Sequence, residues 1–180
     1  MATLGVAAAA AGAGTYAAFS DTEQSNNNQV TAGTLDLTVD GSSSPVTVLS
    51  VSDATPGQSG SGSAITLSND GSVDGTLDVT VAAVNSSENG TNDPESSSPD
   101  EGNGVELESL VTIDVSLGGT QVFSDTVANI SSGQTIVSGQ ALNAGNSTDF
   151  NLSYTVDSAA NNEIQSDSVS LDFDFTLTQV

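Results

Sequence analysis

The last stretch of the chain does most to limit what it can fold into. Val169, Leu171, Phe173, Phe175 and Leu177 fall on one side of an extended strand, and Ser168, Ser170, Asp172, Asp174, Thr176 and Thr178 fall on the other. Alternation with period two over this length predicts a strand with one packed face and one wet face. The pattern recurs upstream. Residues 34–40 place Leu35, Leu37 and Val39 inward, residues 46–51 form a second run, and residues 64–68 continue with Ile65 and Leu67. Residues 76–83 put Leu77, Val79, Val81 and Ala83 on one face. Residues 110–117 carry Val111, Ile113, Val115 and Leu117 in phase, and residues 149–156 carry Phe150, Leu152, Tyr154 and Val156. Turn chemistry separates these runs. Gly41 to Pro45 is a turn, Pro56-Gly57 lies in a loop, Asn69-Asp70-Gly71 is a hairpin-type turn, and Gly118-Gly119 leads into residues 121–123. Residues 124–147 suggest short strands and loops. Seven or more short strands, with no helix between them, predict an antiparallel β-sandwich.

The first 21 residues differ in kind. They are almost all Ala, Gly, Val and Leu, with no charge before Asp21. The Ala-rich part has good helix propensity, but Gly5, Gly12 and Gly14 oppose a long helix. As a strand, the segment shows Leu4, Val6, Ala8, Ala10, Tyr16 and Ala18 on one face, with Phe19 on the other. As a secretion signal it has an apolar run and a small-residue end, but no basic residue ahead of them. It is too short and too Gly-rich for a transmembrane helix, so no stable membrane span is expected in the mature form. Residues 22–33 read as a polar linker, residues 34–180 as the sandwich domain, and residues 84–104 as a mobile acidic surface loop.

Charge narrows the function classes. The chain of 180 residues has 23 Asp plus Glu and no Lys, Arg or His, for a net charge of −23. No side-chain ion pair can form. Self-repulsion reaches about 30 Å at ~0.01 M salt and only about 3 Å at ~1 M, so such a chain suits brine and a halophilic source. Nothing can neutralise a phosphate, which excludes nucleic acid as a partner. With no Cys there are no disulfides and no thiolate metal sites.

Several segments resemble the TasA/camelysin family of secreted, fibre-forming proteins, which includes archaeal bundling-pilus subunits. The N-terminal match runs Leu4-Gly-Val-Ala to Gly14-Thr-Tyr-Ala-Ala-Phe-Ser-Asp21, followed by Ala32-Gly-Thr-Leu-Asp-Leu37. Thr66-Leu-Ser-Asn-Asp-Gly-Ser72 looks like the next recurring element, and Val169 to Gln179 looks like the closing strand. Residues 84–147 match nothing. The resemblance implies a jelly-roll sandwich, export, and assembly into extracellular fibres that support biofilm cohesion. In such fibres the N-terminal segment inserts as a strand into the next subunit. Along that donor segment the residues expected to act are Leu4, Val6, Ala8, Ala10, Gly12, Gly14, Tyr16 and Phe19. The expected partner is a further copy of the chain, joined head to tail into an open polymer. A pilin-like helical core for residues 2–18, and a secreted monomeric binding module, are the alternatives.

Catalysis finds little support. Family members have been described as metallopeptidases, yet this chain has no His and no Cys for a typical zinc site. A Ser-His-Asp arrangement is likewise excluded. Asp172 and Asp174 share the outward face of one strand and read as a solvated acidic surface. No cofactor is expected. Calcium is the one candidate ion, through Asp93, Glu95, Asp100 and Glu101, although these lack EF-hand spacing. N-glycosylation sequons start at Asn85, Asn89, Asn129, Asn146 and Asn151.

Overall fold

A computed structural model describes residues 32–40, 46–88 and 106–180. The chain divides into Met1–Ala32 and Gly33–Val180, and the fold is that of the second unit. The proposed donor residues, Asn89 and the four loop acids lie outside the described residues.

The strands are β1 (Leu37–Val39), β2 (Val46–Ser52), β3 (Ser59–Ser61), β4 (Ile65–Asn69) and β5 (Gly75–Ser87). A short helix, α1 (Leu107–Leu110), precedes β6 (Val111–Leu117) and β7 (Thr120–Thr126). Then follow β8 (Thr135–Leu142), β9 (Ser147–Val156) and β10 (Ser168–Gln179). One sheet has the order β1-β4-β9-β6-β7, with β3 also on β9, and the other has the order β2-β10-β5-β8. All pairings are antiparallel. Most connections pass from one sheet to the other, which makes the sandwich jelly-roll-like.

The alternating residues meet between the sheets, as the pleat requires. Leu77, Val79 and Val81 of β5, Val111, Ile113 and Val115 of β6, and Leu171 and Phe173 of β10 are fully buried. Phe150 of β9 spans the interior: its ring lies 5.3 Å from Phe173 and 5.2 Å from Phe175, tilted to one and edge-on to the other. Such contacts add to area burial.

Several local expectations change. Leu35 stays 37% exposed, because β1 begins only at Leu37. Ala83 falls out of phase: Phe173 pairs with Val81 but Asp172 with Ala83, so Ala82 is an extra residue. Beyond this bulge the inward side passes to Val84, which packs on the core. Residues 84–87, expected as loop, therefore continue β5 against β10. Leu110, expected in a strand, closes α1. Residues 124–147 contain the end of β7 and all of β8.

The Asn69-Asp70-Gly71 segment is not a hairpin turn. β4 belongs to one sheet and β5 to the other, so this segment crosses between them. Strand β3 was not expected, since residues 59–63 carry no apolar side chain. It forms because β9 offers main-chain partners, and Gly62 N–H continues the ladder to the Leu152 carbonyl at 2.9 Å. Gly62 also lies against β2, where an added β-carbon would run into the Val48 carbonyl oxygen.

Candidate functional site

Two of the segments that carry the family resemblance dock on each other. Asp70 N–H donates to the Asp36 carbonyl at 2.8 Å, and Ser72 N–H to the Thr34 carbonyl at 2.8 Å. Thr34 N–H donates to Ser72 Oγ at 2.9 Å, and Thr38 Oγ1 to Asp70 Oδ2 at 2.9 Å. Asn69 anchors this corner and is fully buried. Its Nδ2 donates to the carbonyls of Val73 and Leu142, both at 2.9 Å, while Oδ1 accepts from Gly71 N–H at 3.1 Å. Its main chain is engaged as well, with Asn146 and Gly145.

The described sequons lie apart from one another. Asn85, Asn129 and Asn146 are exposed, and Asn151 on β9 is half-buried. Asn85 donates to Asp172 at 3.4 Å, and Asn129 to Asp125 at 2.8 Å. The Asn129 amide, with the Thr126 N–H, holds the Asp125 carboxyl below the usual carboxylate range. Asp172 and Asp174 stand on the outward side of β10, both half-buried.

Sequence reasoning missed a cluster of carboxylates. Glu88 follows the end of β5, Glu106 precedes α1, and Asp167 precedes β10; one carboxylate oxygen from each lies within 4.8 Å of the others. Ser166, with φ of 68°, turns the chain immediately before Asp167. Asp167 is fully buried, and its Oδ2 accepts the Leu107 N–H at 3.1 Å. Its Oδ1 is buried and receives no N–H or O–H from a neutral group, and the carboxyl can share a hydrogen bond with Glu88 only while one of the two holds a proton. Burial pushes the Asp167 carboxyl up to about 7; the Leu107 N–H opposes this, while Glu88 and Glu106 add to it.

Two unit charges separated by 4.8 Å repel by about 3–4 kcal/mol at an effective dielectric of about 20. Three ionised carboxylates therefore require a proton or a cation among them. Which acids converge depends on where three distant segments meet, and composition holds no signal for that.

A family model described as camelysin metallo-endopeptidase matches residues 1–180. That description implies a metal. The carboxylate cluster supplies oxygen donors only, and the chain holds no His or Cys, so these residues do not fit a typical zinc peptidase set. Among the described residues, no helix is long and apolar enough to cross a membrane. No curated protein matches the chain. A match that runs from the apolar first segment through the closing strand shows that the chain belongs to the camelysin family, the group in which TasA-like fibre proteins fall.

Proposed function

We propose that the protein is a non-enzymatic structural subunit of an extracellular filament, secreted and assembled head to tail. Residues 2–19 of one copy would add as a strand to the sheet of the next. The observation that carries this reading is the family match over residues 1–180, which takes in the apolar segment together with the sandwich. The fold supports it physically. β7 and β8, at one side of the two sheets, each pair with a single described strand and so present an edge. An edge strand accepts an added strand through its main-chain groups, and small side chains allow close approach. At roughly 3.3 Å per residue, residues 2–19 would span about 55–60 Å, enough to cross a domain. Such a filament would support biofilm or cell-cell adhesion, and the lack of any cationic side chain fits assembly in brine.

The test compares the full chain with one lacking residues 2–19, and with Ala10→Glu, by negative-stain microscopy and circular dichroism. Fibres from the full chain alone, with strand signal retained in both variants, are expected. A carboxylate placed in a dry groove costs several kcal/mol. Abundant fibres from the truncated chain overturn the donor-strand reading. Helical signal that grows with polymerisation points instead to a pilin-like core.

A further inference from the structure

Glu88, Glu106 and Asp167 come from segments far apart in sequence, at the end of one strand, the start of the helix and the start of another strand. We propose that these three residues bind one calcium ion, which ties together the ends of β5, α1 and β10. Asp167 carries the argument. Its side chain is fully buried, one carboxylate oxygen is held by the Leu107 N–H, and the other receives no N–H or O–H from a neutral group; the carboxyl can hydrogen-bond to Glu88 only while one of the two holds a proton. A buried carboxyl with two further carboxylates within 4.8 Å calls for a proton or, where all three are ionised, for a cation. The chain cannot supply that charge, since it contains no Lys, Arg or His. It must come from solution.

The donor set selects the ion. Carboxylate oxygens favour hard cations over zinc. Calcium bonds oxygen at about 2.3–2.6 Å and takes 6–8 such ligands. Oxygens within 4.8 Å of one another fit around one ion of that size. Three carboxylates can provide up to six oxygens, with water completing the shell. Magnesium bonds at about 2.0–2.1 Å and gives up its water reluctantly, so it fits this open triad less well. Glu88 and Glu106 stand on either side of residues 89–105 in the chain, so the ion would also pin the two ends of that segment together. None of the three belongs to the Asp93, Glu95, Asp100 and Glu101 group expected from the sequence, which lies outside the described residues.

The experiment is isothermal titration of the metal-free full-length chain with calcium chloride at neutral pH. It is run in about 1 M NaCl, where a Debye length of about 3 Å suppresses diffuse attraction to the acidic surface. Saturable binding of one ion per chain is expected, with a thermal midpoint that climbs with free calcium by mass action. Asp167→Asn and Glu106→Gln should lose both effects while keeping the strand signal, and Asp114→Asn on β6 should keep both. If Asp167→Asn does not fold, Glu106→Gln decides. Absence of saturable binding by the unmodified chain, or undiminished binding by Glu106→Gln, overturns the proposal. Equal binding of magnesium overturns the assignment to calcium.

Discussion

Asn69 and Leu142 belong to different sheets, and the Asn69 side-chain amide donates a 2.9 Å hydrogen bond to the Leu142 carbonyl oxygen. The same amide group satisfies the Val73 carbonyl, and its oxygen accepts from Gly71 N–H. One buried side chain thus serves three main-chain groups where the chain crosses between sheets. Asn69→Ala should destabilise the domain by roughly 2–4 kcal/mol, because the buried Leu142 carbonyl loses its donor. Asn69→Asp should be at least as harmful, since a carboxylate cannot donate to either carbonyl. Denaturant unfolding checks this, and a loss below about 0.5 kcal/mol for both variants would show that water replaces the amide.

Gly62 is required by close approach. A β-carbon there meets the backbone oxygen of Val48, which cannot rotate aside as a side-chain tip can. Gly62→Ala should cost roughly 1–3 kcal/mol through forced separation of β3 from β2. Ser63→Ala, one residue on and exposed, should stay within about 0.5 kcal/mol. Equal thermal midpoints for the two variants would contradict the contact.

Asp167 makes the metal-free protein sensitive to pH. Its folded carboxyl, raised from 3.8 to about 7, holds a proton more tightly than the unfolded chain does. The stability this contributes is complete below the unfolded value and is lost as pH rises through about 7. With a chelator present, the thermal midpoint should fall between about pH 5 and pH 8, a window above the ordinary titration of Asp and Glu. Asp167→Asn should flatten that slope. A slope unchanged in the variant would place its origin elsewhere.

Salt should govern both folding and assembly. In the proposed filament, contacts between copies would form between bodies that each carry a charge of −23. At ~0.01 M salt the repulsion reaches about 30 Å, and above ~1 M only about 3 Å. Fibre mass by sedimentation, and strand signal by circular dichroism, should therefore rise steeply from dilute buffer to molar NaCl. Salting-out ions should strengthen this through apolar burial. Full assembly in dilute buffer without divalent ions would refute the halophilic reading.

Much of the core was legible because strand alternation is local. The pleat alone sends Val169, Leu171, Phe173 and Phe175 to one side of β10, and all four are buried. The same holds for Val111, Ile113, Val115 and Leu117 of β6. Gly118-Gly119 was legible as a turn for a similar reason, since both residues adopt positive φ, 56° and 80°, which glycine tolerates best. Where alternation failed, the cause lay in another strand. The phase change at Ala82 exists only relative to β10, and β3 exists only because β9 offers a ladder. Neither leaves a mark in the residues themselves.

The sequence by itself determined an acidic, all-β chain, the residues that fill its interior, and the resemblance later matched by the family model. The tertiary structure decided which strands share a sheet, and so turned Asn69-Asp70-Gly71 from an expected hairpin into a crossing. It alone brought Glu88, Glu106 and Asp167 together. Pleat and turn preferences act over a few residues. Sheet partnership and the meeting of carboxylates depend on long-range closure, which no short stretch of sequence encodes.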